Sequence, residues 1–478
     1  MKPLYGQKAI FTIVLMLSAL LLAPKISAQD RAKMEILEGT WMGRIEAGAL
    51  YLRLVFNFSI NEQDSLKASL ESPDQGSVIV PMGTVHLRGD SIIINAQLLG
   101  GKYSGLIKGE RSLEGTWEQM GQSFQLNMEK QDAPFRLNRP QEPKPPFTYR
   151  VEEVSIINEG GGFALSGTLT LPYGPGPFPA AVLISGSGPQ NRDEELMGHK
   201  PFAVIADHLT RNGIAVLRYD DRGTGKSGGV FAGATSADLS TDAQAAFNFL
   251  QSRKEIDKNK TGLIGHSEGG LIAPLLASRE PKVAWIVSLA GPGVNGRELM
   301  LRQAEEISRA MGNSEEDIQT AKKINEKLYK IVRKNPGSQE AEEKLVKTLR
   351  RELIKADVQD EIIEERITTV KINLLNDSYP WLRYFMVTEP SDLWKAVSCP
   401  VLILNGEKDL QVNAAINTEG IAKALSEGGS DSYRVIIFPG LNHLFQHCTT
   451  GLPGEYGTIE ETFSSEVLEI ISGWIRER

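Results

Sequence analysis

Cysteine is scarce in this chain of 478 residues, and its 52 lysines and arginines are outnumbered by 60 acidic residues. It contains two cysteines and six histidines, and its formal net charge at neutral pH is −8. Nucleic acids are bound by clustered cationic side chains, so the acidic balance and the lack of a long basic run argue against a nucleic-acid partner. Cys399 and Cys448 flank different predicted strands and are expected at opposite edges of a sheet. A disulfide between them is therefore not predicted.

The N-terminus carries an uninterrupted apolar stretch. Residues 9–23 are apolar except for one threonine and one serine, and they follow Lys2 and Lys8. This pattern is typical of a secretory signal peptide, residues 1–28, with cleavage near Ala28. The stretch is short for a membrane span, although an uncleaved anchor is the alternative. We therefore expect an exported protein, periplasmic or secreted, that meets the membrane only through this leader.

Two changes of pattern divide the rest of the chain. Residues 29–138 contain short alternating segments separated by glycine-containing turns, which predicts a small all-β accessory domain, a barrel or a sandwich. Glu-Gly-Thr-Trp occurs twice in this region, and we interpret Trp41 and Trp117 as core residues rather than as ligand-stacking residues. Residues 139–148 are rich in proline and predict a semi-rigid linker between domains.

Strands alternate with helices in residues 149–478, after an initial hairpin. This order is typical of a mostly parallel sheet with helices on both faces. The alternation stops at about residues 292–395, a charged stretch whose apolar residues recur with a helical period. Because this insertion follows a late strand, near the edge where an active site would open, it predicts a helical cap.

One short motif carries most of the functional information. Residues 265–269 read Gly-His-Ser-Glu-Gly and fit the G-x-S-x-G nucleophile elbow of serine hydrolases. An apolar strand precedes the motif and an apolar helix follows it, so Ser267 would project from a sharp strand-to-helix turn that needs small neighbours. The motif predicts Ser267 as a nucleophile, and a chance Gly-Ser turn is the alternative.

A serine nucleophile needs a base, and the base needs an orienting carboxylate. His443 lies in the loop directly after the last predicted strand of the sheet and is the predicted base. Asp409, in the loop after the preceding strand, is the first choice for the carboxylate, and Glu407 is the second. Their order along the chain, with the serine first and the histidine last, fits this arrangement.

The negative charge that develops on the substrate needs backbone N–H donors. We expect them at Glu268, directly after the nucleophile, and at Ser187 in a glycine-rich loop, with Gly188 as an alternative to Ser187. The side chain of Glu268 is expected to be a bystander. Three aromatic residues of the cap are candidates for the acyl pocket, although core packing explains them equally well: Trp381, Tyr384 and Phe385.

Two further patterns predict neither a cofactor nor a metal. Residues 223–228 match G-x-G-x-x-G, but no helix follows, and the phosphate-loop pattern fails at Asp220, where glycine is required. His443 and His447 have the spacing of two metal ligands on a helix, but their segment reads as a loop and no third ligand is obvious.

These motifs resemble those of the α/β-hydrolase superfamily, in particular bacterial exported esterases with a Gly-His-Ser-Glu-Gly-Gly elbow. The similarity runs from about residue 150 to 478 and includes landmarks at residues 185–190, 220–227, 265–270 and 405–409. The resemblance implies an α/β-hydrolase fold and hydrolysis of carboxylic esters by Ser267, Asp409 and His443. It also explains the glycine-rich turn, which is usual after the fourth strand of that family. The β domain lies outside it and resembles an accessory domain.

Three functions follow as hypotheses. The first is an exported serine carboxylesterase for small-molecule esters with short or medium acyl chains. The second is a serine peptidase of aminopeptidase or oligopeptidase type, in which Glu268 could select a chain end. The third is a surface protein whose β domain binds glycan or peptide and whose hydrolase unit is inert. The sequence indicates neither the natural ester nor the oligomeric state.

Overall fold

A computed structural model describes residues 28–47, 50–61, 63–73, 79–119, 121–133, 137–375 and 377–478. The predicted signal peptide lies outside these residues, except for Ala28. The chain divides into two compact units, one formed by most of the N-terminal part up to residue 135 and the other mainly by residues 136–478. Among the described residues, no helix is both long enough and apolar enough to cross a membrane.

The N-terminal unit is built on one antiparallel sheet, in which ten strands are described. They are β1 (Gly39–Ala47), β2 (Leu50–Ile60), β3 (Leu66–Glu71), β4 (Ile79–Pro81), β5 (Val85–Arg88), β6 (Ser91–Ala96), β7 (Gly101–Lys108), β8 (Ser112–Gln119), β9 (Gln122–Gln125) and β10 (Met128–Lys130). The order across the sheet is β4-β3-β2-β1-β10-β8-β7-β6-β5, with β9 beside β8.

The core of this unit shows that the sheet curls. Phe56 on β2 contacts Tyr103 and Trp117, which lie on distant strands, with ring centroids 5.8 and 6.2 Å away. One sheet therefore wraps around a single core as a half-barrel, rather than pairing with a second sheet as in a sandwich. Trp41 and Trp117 are both buried in this core, which confirms their interpretation as core residues.

A helix in this unit departs from the all-β prediction. Helix α1 (Ala28–Leu37) precedes the first strand. Leu37 is fully buried in the core of the sheet, and its carbonyl oxygen accepts a hydrogen bond of 2.7 Å from the indole Nε1 of Trp41. The helix is thus held by packing at its C-terminal end, which its weak apolar periodicity does not reveal.

The second unit alternates strands and helices around an eight-stranded sheet. Its strands are β11 (Arg150–Asn158), β12 (Phe163–Leu171), β13 (Phe178–Ile184), β14 (Ala215–Tyr219), β15 (Ile256–His266), β16 (Ile286–Leu289), β17 (Val401–Gly406) and β18 (Tyr433–Phe438). The order is β11-β12-β14-β13-β15-β16-β17-β18. The first three strands pair antiparallel, and all later pairs are parallel.

Helices cover both faces of this sheet. They are α2 (Pro201–Arg211), α3 (Ser236–Ser252), α4 (Gly269–Ala277), α11 (Ala414–Glu427) and α12 (Ser465–Arg476). Val182 and Leu183 on β13 point to opposite faces and belong to two separate apolar cores. Strands buried on both faces need continuous apolar runs, which is the pattern that predicts a parallel sheet. Helix α3 begins at Ser236 because Thr235 and Asp238 form a capping box.

The predicted cap is an insertion of helices between β16 and β17. It consists of α5 (Gly296–Ala310), α6 (Glu315–Lys334), α7 (Ser338–Lys355), α8 (Asp360–Leu374), α9 (Tyr379–Val387) and α10 (Pro390–Lys395). Ser314 caps α6 by accepting a hydrogen bond from the backbone N–H of Asp317. The cap has its own apolar core, in which Leu328, Val332 and Leu345 are buried.

The proline-rich segment is anchored to the second unit. The guanidinium of Arg139 donates hydrogen bonds to the carbonyl oxygens of Met197, Gly457 and Ile459 over 2.8 to 3.0 Å. The side-chain oxygen of Gln141 accepts the backbone N–H of Thr462 over 2.6 Å. The segment predicted as a linker is therefore tied down at its start.

The two cysteines are free thiols. Cys399 precedes β17 and Cys448 lies ten residues beyond the end of β18. Burial raises the pKa of the Cys399 thiol to about 12 and also raises that of Cys448. Both shifts favour the protonated thiol at neutral pH.

Candidate active site

Ser267 occupies a strained turn between β15 and α4. Its φ is +51°, a region that side chains other than glycine rarely adopt, and its N–H donates to the carbonyl oxygen of Leu289 over 2.8 Å. A Cβ on Gly265 would lie 2.1 Å from the carbonyl oxygen of Gly269, and one on Gly269 would lie 2.1 Å from that of Ile184. Both glycines of the motif are therefore required by close backbone contact.

The predicted site residues converge at one edge of the sheet. Ser267, Asp409 and His443 follow the carboxyl ends of β15, β17 and β18, and the loop with Ser187 follows β13. Loops at the carboxyl ends of parallel strands meet at the same edge. A cavity of about 290 Å³ opens there, and its walls include Gly186, Ser187, Ser267, Glu268, His443 and the cap residues Leu299, Met300, Gln303, Trp381 and Phe385.

The His443 ring is oriented by Asp409. Its Nδ1 lies 2.7 Å from the Asp409 Oδ2, and Asp409 is only 2% exposed. The other carboxylate oxygen accepts two backbone N–H groups of the following turn, each over 2.8 Å. Because the carboxylate accepts from Nδ1, the Nε2 of His443 is left with a lone pair for a proton. Glu407, the second choice, is exposed and accepts the N–H of Gly440 over 3.0 Å instead.

Two backbone N–H groups beside Ser267 are open. Gly186 approaches Ser267 so closely that a Cβ on it would lie 3.2 Å from the serine Cβ, but its N–H already donates to Glu194 over 2.6 Å. Within the described ranges, the N–H groups of Ser187 and Glu268 donate to no protein acceptor. Both residues line the cavity, whereas Gly188 does not. Preorganised N–H donors of this kind suit a developing oxyanion.

The glycine-rich turn after β14 supports the loop that carries Ser187. The Asp221 carboxylate accepts hydrogen bonds from the Ser185 hydroxyl and the Gln190 N–H, each over 2.9 Å. Burial raises the pKa of Asp221 to about 8. The neighbouring Asp220 holds the Arg192 side chain through two bonds of 3.0 and 2.9 Å. The turn therefore buttresses the oxyanion loop, a role that its glycine pattern alone does not suggest.

The side chain of Glu268 takes part in the cavity wall, contrary to the expectation of a bystander. Its Oε1 accepts hydrogen bonds from the Ser236 hydroxyl over 2.6 Å and from the Trp381 indole Nε1 over 2.8 Å. Complete burial raises the pKa of this carboxyl. The residue after Ser267 is therefore tied both to α3 and to the cap.

Two of the three predicted cap aromatics reach the cavity. Trp381 and Phe385 line it, with stacked rings whose centroids are 5.4 Å apart. They lie four residues apart on α9 and share one face of the helix. Tyr384 is not among the lining residues, because it is rotated about 100° from Phe385 around the helix axis.

His266 and His447 have different surroundings. His266 is buried beside the site, with Nδ1 2.9 Å from Glu194 Oε1 and Nε2 3.1 Å from the carbonyl oxygen of His443. His447 is exposed and pairs with Glu461 over 2.8 Å, so it shares no site with His443. Neither the contact of His266 nor that of Glu194 is signalled by a motif.

A family model matches the centre of this site. Residues 199–447 match the family described as serine aminopeptidase, S33, over more than half of the 478-residue chain. The chain belongs to this family. The match includes the residues that the sequence and the geometry single out, Ser267, Asp409 and His443. This S33-family chain is therefore an α/β-hydrolase, in agreement with the resemblance of its motifs.

Individual relatives of this S33-family hydrolase are distant. Esterase EstD from Thermotoga maritima (strain MSB8) is 28% identical over 293 residues, which are 61% of this chain and 60% of that protein. The chain thus spans about 60% of the length of this curated relative. Among solved structures, it is similar to Pyrococcus furiosus esterase Pf2001, at 16% identity and a TM-score of 0.40 over 69% of this chain and 93% of the other. Est1E from Butyrivibrio proteoclasticus, with bound ferulic acid, has 18% identity and a TM-score of 0.39 over 68% and 96%.

Proposed function

We propose that this S33-family hydrolase is a serine esterase that cleaves esters with short or medium acyl chains. The observation that carries the proposal is the His443 ring, held 2.7 Å from Asp409, in the wall of the same small cavity as Ser267. The relative named as an esterase supports the ester as substrate class. Acyl transfer to a serine requires the nucleophile, a base that takes its proton and an acid that orients the base.

The proposed reaction has two halves. In the first, the Ser267 Oγ attacks the ester carbonyl carbon while its proton passes to the His443 Nε2, which then protonates the departing alcohol. This leaves an acyl group on Ser267. In the second half, His443 takes a proton from water, the resulting hydroxide attacks the acyl carbon, and the acid leaves as Ser267 regains its proton. Asp409 stabilises the His443 imidazolium that forms in both halves.

The carbonyl oxygen becomes negatively charged at each attack. The open N–H groups of Ser187 and Glu268 are the donors that would hold it. Removing one donor of this kind from an enzyme typically costs about 10²- to 10³-fold in rate. Because both donors are backbone groups fixed by the turn at Ser267 and by the loop after β13, they need little reorganisation when the charge develops.

The size and lining of the cavity favour short or medium acyl chains. Its volume of about 290 Å³ lies at the lower end of the range for small-molecule sites, roughly 300 to 1,000 Å³. Leu299, Phe385 and Val412 form an apolar wall around it. An acyl chain would bury against this wall and gain about 0.8 kcal/mol per methylene until the space is full.

Rates on a graded series of p-nitrophenyl esters and on aminoacyl anilides would test this proposal. We expect kcat/KM to rise with acyl length and then fall once the chain exceeds the cavity, with slower cleavage of the anilides. Hydrolysis of aminoacyl anilides without turnover of simple esters would instead favour a peptidase, in which Glu268 contacts the chain end. Failure of a fluorophosphonate to label Ser267 would favour the inert, ligand-binding alternative.

Trp381→Phe tests the role of the cap in binding. The substitution keeps an aromatic ring against Phe385 but removes the Nε1 donor to Glu268. The lost hydrogen bond from the indole to the carboxyl contributes about 1 kcal/mol of stability, and its loss would loosen the cap over the cavity. We expect KM to rise about threefold to tenfold with kcat nearly unchanged. Tyr384→Phe is the matched control, because that side chain does not line the cavity, and an equal rise of KM there would contradict the role of Trp381.

A further inference from the structure

The ring of His266 is fixed between two acceptors. His266 is the last residue of β15, directly before Ser267, and it is only 6% exposed. Its Nδ1 lies 2.9 Å from the Glu194 Oε1, and its Nε2 lies 3.1 Å from the backbone carbonyl oxygen of His443. The same Glu194 oxygen also accepts the Gly186 N–H over 2.6 Å. Three segments around the serine thus meet at this one ring.

The chemistry of these partners determines where the protons are. A carbonyl oxygen accepts hydrogen bonds and never donates them, so the Nε2 of His266 must carry a hydrogen. If Nδ1 carried none, its lone pair would face the Glu194 oxygen, and that oxygen would have to be protonated. A protonated carboxyl oxygen is a poor acceptor, yet this one accepts the short bond from Gly186. All three hydrogen bonds have a donor and an acceptor when both ring nitrogens carry hydrogens and Glu194 is a carboxylate.

The charges around the ring agree with this assignment. Burial lowers the pKa of His266, but Glu194, the His443 carbonyl and Asp409 together outweigh it, and the pKa is raised overall. The groups that face the ring are Glu194 from the loop after β13, Asp409 from the loop after β17, and the carbonyl and ring of His443 after β18. The ring centroids of the two histidines are 4.8 Å apart.

His199 shows what burial does without such a partner. Its Nδ1 lies 2.9 Å from the Thr462 hydroxyl, which can donate as well as accept, and its Nε2 lies 2.9 Å from the Tyr456 carbonyl oxygen. A neutral ring satisfies both partners. Burial lowers the pKa of His199 to about 4. The partner of Nδ1 thus differs between the two buried histidines, a hydroxyl in His199 and a carboxylate in His266, and the charge of Arg139 further lowers the pKa of His199.

We propose that His266 is an imidazolium whose ion pair with Glu194 positions the oxyanion loop and the His443 loop on either side of Ser267. Glu194 holds the Gly186 N–H, next to the open donor of Ser187, while His266 holds the backbone of His443. Glu194 itself has a φ of +50°, a strained conformation that costs stability and persists at sites where geometry matters. The catalytic consequence rests on the proposed esterase function, whereas the protonation state does not.

Nitrogen NMR of the full chain with ¹⁵N-labelled histidine tests the protonation state directly. With six histidines in the sequence, His266→Gln assigns the signal of interest by its loss. At pH 7.5 we expect both ring nitrogens of His266 to carry hydrogens, and one nitrogen of His199 to carry none. A neutral His266 ring at this pH would overturn the proposal, whatever the enzyme does with esters.

Glu194→Gln tests the positioning role. The amide oxygen can still accept the Gly186 N–H, but the charge that keeps His266 protonated is gone. We expect kcat to fall about 10- to 100-fold with KM within about twofold, the size of effect that a small misplacement of catalytic groups produces. We also expect the alkaline limb of the kcat profile to move to lower pH, because His266 then loses its proton more easily and the clamp is lost as pH rises.

Glu195→Gln is the matched control, since it makes the same chemical change one residue away, where the side chain bonds to Asn191 over 3.3 Å. We expect its kcat and alkaline limb to match those of the wild type. An unchanged kcat profile in Glu194→Gln, or an equal shift in both variants, would overturn the positioning role. If the wild type cleaves no ester, the NMR result still decides the protonation state, so the two proposals fail separately.

Discussion

Ser267→Ala is expected to lose nearly all ester hydrolysis, with kcat lower by about 10⁴- to 10⁶-fold. The change removes only the Oγ that attacks the carbonyl. Alanine and serine differ little in size, and both have a Cβ at the strained φ of +51°, so the turn is equally strained in the variant. The open N–H groups and the cavity remain and account for residual activity. Steady-state hydrolysis of a p-nitrophenyl ester and labelling by a fluorophosphonate measure the effect.

Ser278→Ala is the matched control for this experiment. Ser278 lies just after α4, at the other end of the helix that Ser267 precedes, and its hydroxyl bonds to the carbonyl oxygen of Leu275 over 3.0 Å. We expect its activity to stay within about twofold of the wild type, as is usual for surface changes. Near-normal turnover by Ser267→Ala would contradict the assignment of the nucleophile.

The parts of this molecule that the sequence predicts are those governed by local rules. Two glycines around Ser267 mark a turn without room for a Cβ, and continuous apolar runs mark strands buried on both faces. Because parallel strands end at one edge, the order of Ser267, Asp409 and His443 along the chain is enough to bring them together. The structure adds a reason for preferring Asp409 to Glu407, because the turn donates two backbone N–H groups to the Asp409 carboxylate.

The parts that the sequence does not predict depend on contacts between distant segments. Glu194 and His266 are 72 residues apart, and Trp381 and Glu268 are 113 residues apart. The periodicity of apolar residues along the chain does not reveal such pairs. Each contact forms only when separate loops, or a loop and a cap helix, pack together. The same reason explains Tyr384, whose exclusion from the cavity depends on how α9 is rotated in the cap. Side-chain roles around the site therefore need the structure, even where the nucleophile does not.

Asp409→Asn is expected to lower kcat by about 10³- to 10⁴-fold at neutral pH, although the change is nearly isosteric. The amide oxygen can still accept the two backbone N–H groups of the turn. The amide nitrogen then faces the Nδ1 of His443 and donates to it, which moves the ring hydrogen to Nε2. In that tautomer the ring cannot take the proton of Ser267. Measurement of kcat and KM between about pH 6 and 9 should show a large loss in kcat and little change in KM.

Glu407→Gln separates this effect from a general loss of charge near the base. Glu407 lies in the same loop, but it is exposed and bonds to the N–H of Gly440 over 3.0 Å, a bond that an amide oxygen can also accept. We expect kcat within about threefold of the wild type, as for other exposed sites. The opposite ranking, with activity lost in Glu407→Gln and kept in Asp409→Asn, would assign the orienting role to Glu407. The hydrogen bond of 2.7 Å between Asp409 and His443 favours the first outcome, because an ionised carboxylate can only accept there and so fixes the ring hydrogen on Nδ1.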